Sequence, residues 1–265
     1  MCPPDIPDSV CGTDCGHAHW EKGFAVYTPL DLDRKDKAGE GYSTRPGAMV
    51  GRYLQSFKYF EPIKDQLREV LQFSSNLAEN TESYRHEILQ RMYRDVIPPS
   101  FSLVGIAIRR GDILGLDSVE LPPDKYFELA MSKLEEAHGN PDNVIFVVVA
   151  SEEESRWVQS QSSFASRGER VVFAWPHTAN DAGGGGGDAL DFALLASCHH
   201  IITTTGSFGW WAGWISGGTV VYYRDQFNMT NVYHERHTVL DDYWPEDWVG
   251  ITGADLGFNR TSISD

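Results

Sequence analysis

The longest apolar run of the chain extends from Val144 to Ala150, between Asn143 and the three glutamates of residues 152–154. A run of this length with sharp polar borders is typical of a buried strand. It is far shorter than the roughly 18 apolar residues that span a bilayer. The run therefore predicts one strand in the interior of a sheet.

Strand-like and helix-like segments alternate around this run. The further strands that we predict are Phe101–Ile108, Val171–Trp175, His200–Thr204 and Thr219–Tyr223. Helices are predicted from Pro122-Pro123-Asp124 onward and over Glu152–Phe164, Asp188–Cys198 and Ser207–Ile215. Such alternation predicts an α/β fold with a doubly wound, Rossmann-like parallel sheet. Ligands of such sheets bind beyond the carboxyl ends of the strands, which is where Arg109, Arg110 and Asp112 stand.

The first hundred residues have a different character. Residues 1–50 are rich in Asp, Gly, Pro and Lys, lack periodicity and are predicted to form an irregular arm. Helical periodicity covers Tyr53–Phe73 and Tyr84–Tyr93, and Pro98-Pro99 ends it. We therefore predict an arm over 1–50, a helical part over 51–99 and a Rossmann-like domain over 100–265.

The formal net charge is −16, which excludes the broad basic surface that nucleic acid requires. A small anion site remains compatible with this charge, because two arginines can dominate the field inside a cleft. The residues after Met1 lack a charged segment followed by an apolar one. No signal peptide or anchor is therefore predicted in this chain.

The sequence Arg109-Arg110-Gly111-Asp112 is the sharpest chemical feature. Two guanidinium groups are costly to bury unless an anion meets them, and their fork geometry matches phosphate. Asp112 is placed to orient one of them. The alternative interpretation is an ordinary surface Arg–Asp pair.

A second candidate segment runs from the threonines at 203–205 into Gly206-Ser207-Phe208-Gly209 and a helix. Backbone N–H groups at such a strand–helix turn suit a phosphate. The alternative is a tight turn without a ligand, followed by tryptophans that serve as core.

Other patterns are given less weight. Cys11, Cys15, His17 and His19 match no common zinc spacing, so a local disulfide or free thiols are favoured, and Cys198 is predicted to be a core residue. Asp31-Leu-Asp33 lies in the polar arm instead of at a strand end. The five glycines of residues 183–187 are predicted to be a flexible linker, because no Lys and Ser/Thr follow them.

Several of these segments resemble one known family. Gly105–Asp112 is similar to the V-G-V-H-V-R-R-G-D element of the α-1,2-fucosyltransferases, glycosyltransferase family 11. Asp191–Gly218 resembles that family's D-F-A-L-L-x-x-C-x-H-x-I-x-T-x-G-T-F-G-x-W-x-A-x-L-x-G-G, and Pro245–Ile251 resembles its P-x-x-W-V-G-I element. Together with Tyr53–Phe60, the likeness covers residues 50–255 in order.

The resemblance implies a GT-B-like architecture, a GDP-fucose donor, a galactose-terminated glycan acceptor, inversion at the anomeric carbon and no required metal or other cofactor. It makes residues 51–99 a remnant of the acceptor-side domain and 100–265 the donor domain. It also implies a Golgi location as a type II membrane enzyme. The residues that it assigns to catalysis are Arg109, Arg110 and Asp112. Those that it assigns to the donor nucleotide are Arg109, Arg110, Asp191, Thr204, Gly206, Ser207, Phe208 and Gly209, with Asp191 either a donor contact or structural.

Two departures from the family pattern predict reduced or abolished turnover. The His of the first motif is Ala107 here, and the N-terminal G-x-L-G-N-Q element is absent. Asp112 and Glu120 both remain candidates for the base that accepts the acceptor's proton. The leading hypothesis is a galactoside 2-α-L-fucosyltransferase. The alternatives are an inactive nucleotide-sugar or glycan-binding homologue and an acidic scaffold without a nucleotide site.

Overall fold

The computed structural model describes residues 18–20, 49–51, 55–93, 98, 100–174 and 187–258. The chain divides into two compact units. One consists of Met1–Leu67 and Thr230–Glu246, and the other of Arg68–Met229 and Asp247–Asp265. In the smaller unit, β1 (Ala18–Trp20) pairs in parallel with β2 (Met49–Gly51). An ion pair of 2.6 Å between the Lys58 Nζ and Asp242 Oδ1 atoms also lies within this unit.

The larger unit contains a six-stranded, fully parallel sheet. Its strands are β3 (Ser102–Ala107), β4 (Val144–Val149), β5 (Val171–Ala174), β6 (His200–Thr203), β7 (Val220–Tyr223) and β8 (Val249–Ile251). Their spatial order is β5-β4-β3-β6-β7-β8. Counted from β3, this is 3-2-1-4-5-6, the order of a doubly wound dinucleotide-binding sheet. The predicted α/β fold with a Rossmann-like sheet is confirmed.

The described residues also form nine α-helices. In chain order they are α1 (Lys64–Val70), α2 (Ser75–Tyr93), α3 (Asp124–His138), α4 (Ser155–Gln159), α5 (Ser162–Ala165), α6 (Gly187–Ala196), α7 (Ser207–Ser216), α8 (Val232–His237) and α9 (Leu240–Tyr243). Cys198, just after α6, is a buried free thiol, as predicted for a core residue.

The two faces of β3 show how the helices enclose the sheet. Side chains alternate across a strand, so Val104 and Ile106 point to one face and Leu103 and Ala107 to the other. The first pair belongs to a core that includes Tyr126 and other residues of α3. The second pair belongs to a core that also contains residues of α2, α6 and α7. Both faces of the sheet are therefore covered, which explains the uninterrupted apolar strands.

Two sequence-based predictions about the elements are wrong. The single helix predicted over Glu152–Phe164 is a 3₁₀ turn followed by α4 and α5. Polar side chains compete for the backbone there: the Ser160 hydroxyl donates to the Trp157 carbonyl at 2.6 Å, and the Gln161 amide donates to the same carbonyl at 2.8 Å. The strand predicted last, at Thr219–Tyr223, is followed by β8, whose three residues are too few to produce a strand pattern.

Candidate functional site

A cavity of about 520 Å³ opens at the carboxyl ends of β3 and β4. The sheet order reverses between β3 and β6, and a doubly wound fold binds ligands outside the carboxyl ends of its strands at this point. Six residues that the sequence singled out line it: Arg109, Arg110, Asp112, Asp191, Phe208 and Gly209. The acidic residues Glu153, Glu154 and Asp188 line it as well. The structure therefore brings both motif segments of the sequence to one hollow.

Arg109 is fixed at both its backbone and its side chain. Its backbone N–H donates to the Thr204 hydroxyl at 3.1 Å, and that hydroxyl donates to the Ala107 carbonyl at 3.3 Å. Its Nε atom donates to Asp112 Oδ1 at 3.0 Å, and a second bond joins Nη2 to Asp112 Oδ2. These bonds hold the guanidinium in one orientation beside the cavity.

The pairing with Arg109 changes the acidity of Asp112. Its side chain is 63% exposed, and hydrogen bonding to Arg109 holds its pKa below the usual range. The same bond raises the pKa of Arg109, which stays a cation. A carboxylate with a lowered pKa is a weak proton acceptor, so the geometry suits Asp112 to orienting Arg109.

Gly206 forms the turn between β6 and α7. Its φ of +85° and ψ of 166° lie in a region that only glycine readily adopts. A Cβ atom at this position would lie 3.1 Å from both Cδ and Nη1 of Arg109. The missing side chain therefore lets the guanidinium approach the backbone at the start of α7. Gly206 provides no side-chain cap, so the first N–H groups of α7 lack the usual partner.

The remaining residues of the second segment occupy different positions. Thr204 is buried and uses its hydroxyl to hold the Arg109 segment, and its neighbour Thr205 lines the cavity in its place. Ser207 is exposed at the first position of α7 and is not part of the described lining. Phe208 is 37% exposed in the cavity, with its ring edge-to-face against Phe192 at 5.2 Å.

Gly209 packs closely against the sheet at the back of the cavity. A Cβ atom there would overlap the Thr203 hydroxyl and lie 2.9 Å from the Ala107 Cβ. Ala107, at the position of the motif His, also lines the cavity. The small side chains at 107 and 209 thus let α7 begin directly against β3 and β6.

Arg110 has a different environment from Arg109. Its guanidinium carbon lies 4.5 Å from the centre of the Trp157 ring, in a cation–π contact. Among the described residues, no carboxylate forms an ion pair with it. The two adjacent arginines are therefore held by different means, one by a carboxylate and one by an aromatic face.

Glu154 is a cavity residue that the sequence did not single out. It ends the 3₁₀ turn after β4, is 5% exposed and lacks a partner for Oε1 among the described residues. Burial raises its pKa, while hydrogen bonds to Gly111 and Ser151 oppose the rise. Glu154 follows a buried strand and therefore lies at the same edge of the sheet as Arg109. This position could have identified it as a candidate site residue from the sequence.

Asp191 is a second buried acid of the cavity. It is 5% exposed, and Oδ1 has no partner among the described residues. Burial, and next the nearby charge of Asp188, raise its pKa to about 7. Asp191 therefore titrates near neutral pH instead of remaining a fixed anion.

Other candidates lie elsewhere or outside the described residues. Glu120 is half-buried, donates its backbone N–H to the Gln226 carbonyl at 2.8 Å and is not in the cavity lining. The cysteines at 2, 11 and 15 and the aspartates at 31 and 33 lie outside the described residues, as does most of the glycine run. Across the described residues, no group of three His, Cys, Asp or Glu side chains is arranged to hold a metal ion. Within the same residues, no helix has the length and apolar character needed to cross a membrane.

The fold and the cavity define a doubly wound α/β protein whose switch-point cavity is lined by two arginines and several acidic residues. The profile of glycosyl transferase family 11 matches residues 41–252, and the chain belongs to this family. The predicted family is thus confirmed.

Two curated relatives are galactoside alpha-(1,2)-fucosyltransferases 1. The Bos taurus protein is 29% identical over 251 residues, which are 91% of this chain and 61% of that protein. The Oryctolagus cuniculus protein is 31% identical over 220 residues, 78% of this chain and 52% of that protein. The chain therefore spans only about half to three fifths of the length of these relatives. A solved structure of a glycosyl transferase family 9 protein from Veillonella parvula is 12% identical, with a TM-score of 0.38, and covers 69% of this chain and 45% of that one.

Proposed function

We propose that this chain carries the donor site of a galactoside 2-α-L-fucosyltransferase, which transfers fucose from GDP-fucose to the 2-hydroxyl of a terminal galactose with inversion. Family membership and the printed names of the relatives support this reaction. The single observation that carries the proposal is the placement of the Arg109 guanidinium against the Gly206 turn. In a doubly wound sheet, that is where a diphosphate is bound.

The proposed reaction makes one bond and breaks another. The oxygen of the acceptor hydroxyl attacks the anomeric carbon of fucose and loses its proton to a general base, and the bond from that carbon to the β-phosphate oxygen breaks. Negative charge then grows on GDP. Arg109 and Arg110 are cations at the mouth of the cavity, and fixed cations aimed at developing charge lower the barrier. In this proposal no metal is needed for that task, and the groups that stabilise the leaving GDP belong to the protein.

The other cavity residues have supporting roles in the proposal. Asp112 orients Arg109, and the missing side chains at Gly206 and Gly209 let Arg109 and the sheet lie close to the start of α7, where the diphosphate binds. Phe208 offers an exposed ring to an apolar part of the donor. Asp191 contacts the donor as a hydrogen-bonding group whose protonation changes near neutral pH. Of the two carboxylates considered as the base, Asp112 lines the cavity and Glu120 does not.

We also propose the family's Golgi location and GT-B arrangement for the whole protein.

A second candidate is a homologue that binds the nucleotide sugar without turning it over. The observation that favours it is Ala107, which lines the cavity where the family motif has His. A methyl group has no donor or acceptor with which to position a substrate. In this case GDP binds with the same dependence on Arg109, and no fucose is transferred.

A paired experiment separates the two candidates. Calorimetry measures GDP affinity, with UDP as the base-specificity control, and radiolabelled GDP-fucose is then incubated with a β-galactoside acceptor. The proposal predicts GDP binding and a product whose new linkage is α-1,2 by NMR. Binding without transfer supports the non-catalytic homologue. Absence of GDP binding contradicts both.

A further inference from the structure

The environment of Arg110 differs from that of Arg109 in one respect that matters for an anion. Arg109 is paired with Asp112, which neutralises part of its charge. The Arg110 guanidinium lies 4.5 Å from the Trp157 ring centre, and no described carboxylate pairs with it. An aromatic face attracts a guanidinium through its quadrupole without bringing a negative charge. The aromatic contact therefore holds Arg110 without adding a carboxylate partner.

Trp157 is suited to this task because its own ring is anchored. It lies on α4 and packs edge-to-face against Phe127 of α3, with 6.4 Å between ring centres. Phe127 is fully buried, and the ring of Phe164 on α5 packs against the Phe127 ring with 5.2 Å between ring centres. The Trp157 ring is thus the edge of a core cluster, and Arg110 rests on its outer face. A rigid platform limits the side-chain entropy that Arg110 loses when an anion binds.

Glu154 is a buried acid that interacts electrostatically with Arg110 without forming an ion pair with it. Glu154 lies after β4 beside the arginine turn, and a Cβ atom at Gly111 would be 3.7 Å from its Oε1. Burial raises the pKa of Glu154, and hydrogen bonds together with the charge of Arg110 oppose the rise. The Trp157 ring is in direct contact with the Arg110 guanidinium, with 4.5 Å between the ring centre and the guanidinium carbon.

We propose that Trp157 is the positioning residue of Arg110, holding that guanidinium over the cavity so that it meets the diphosphate of the nucleotide donor. Trp157 acts through Arg110 and does not contact the ligand. The inference rests on the proposed donor site and adds a residue that is neither in the cavity lining nor in the two sequence motifs.

The test is a double-mutant cycle on GDP affinity, measured by calorimetry on the intact chain. Trp157→Leu removes the ring, Trp157→Phe keeps a smaller one, and Arg110→Ala removes the cation. Phe164→Leu is the matched control, because it loosens the same aromatic cluster and leaves the Arg110–Trp157 contact in place. Circular dichroism melting of each variant checks folding.

We expect Trp157→Leu to weaken GDP binding about three- to thirtyfold, with Trp157→Phe in between. In the Arg110→Ala background, Trp157→Leu should cause no further loss, since the cation that it positions is gone. Phe164→Leu should lower the melting temperature and weaken GDP binding less than Trp157→Leu does. An equal loss from Trp157→Leu in both backgrounds would assign it a purely structural role and overturn the inference. Wild-type chain that fails to bind GDP would instead remove the proposed donor site itself.

Discussion

The Arg109 guanidinium lies against Gly206, at a distance that leaves no room for a side chain on the glycine. A Cβ atom at Gly206 would be 3.1 Å from Arg109 Cδ and Nη1, and the φ of this residue is +85°. The two motifs that stand almost a hundred residues apart in sequence therefore meet through one glycine and one arginine. The proposed diphosphate site depends on this contact.

Replacing this glycine should damage the site in two ways. Gly206→Ala should cost about 1–3 kcal/mol of unfolding free energy from backbone strain, and it should displace Arg109 and weaken GDP binding at least tenfold. Gly139→Ala is the control: its φ is +78°, but a Cβ there meets nothing within 4 Å. It should lower stability and leave GDP affinity unaltered. Urea unfolding and calorimetry on both variants check this, and equal GDP losses in the two would remove the steric argument.

Asp112 should prove to be an orienting residue instead of the base. Asp112→Asn keeps a hydrogen-bond acceptor for Arg109 but removes the charge. Because the ion pair is exposed, unfolding free energy should change by less than about 1 kcal/mol. The loss of kcat should stay under about tenfold, whereas removal of a general base typically costs about 10²–10⁴-fold. Steady-state transfer kinetics distinguish an orienting residue from a general base. A hundredfold fall in kcat with unchanged GDP affinity would make Asp112 the base.

Asp191 should make stability depend on pH between about 4 and 7. Its pKa is raised to about 7 by burial, so in this range the folded state keeps a proton that the unfolded state has lost. Stability therefore falls as pH rises through the window and levels off above the folded pKa. Asp191→Asn should flatten this slope and add on the order of 2 kcal/mol at pH 8.

The control for this prediction is the exposed neighbour on the same helix. Asp188→Asn removes the like charge that helps to raise the pKa of Asp191. Stability should still fall with rising pH, but it should level off at a lower pH than in the wild type. Urea unfolding at several pH values provides the measurement. A wild-type profile that is flat between pH 4 and 7 would show that Asp191 is ionised throughout.

The sequence predicted the elements whose signal is local. Apolar strand runs such as Val144–Val149 can be recognised in the sequence because both faces of the sheet are covered. Arg109 then falls at a carboxyl end because it directly follows such a strand. β8 was missed because three residues carry too little pattern. Its place in the sheet is set by pairing with β7.

The parts of the site that depend on tertiary packing were not predicted. Nothing in the pattern around Trp157 indicates that its ring faces Arg110, because the two residues are far apart in the sequence and meet only in the folded chain. In the sequence Glu154 is the last of three consecutive glutamates, a pattern typical of solvent-exposed residues. It is buried because of the turn that follows β4. The Thr204 hydroxyl was assigned to a nucleotide, whereas the structure places it on the Arg109 backbone.

The most direct test of the account is the GDP affinity of Arg109→Gln beside that of Arg91→Gln. Both changes remove one positive charge, but Arg91 is exposed on α2 and not in the cavity lining. A charge-assisted contact to phosphate is worth about 1.5–3 kcal/mol, so Arg109→Gln should weaken GDP binding about ten- to a hundredfold. Arg91→Gln should leave it within about twofold. Equal affinity for GDP in wild type and in Arg109→Gln would contradict the proposal that this arginine meets the diphosphate.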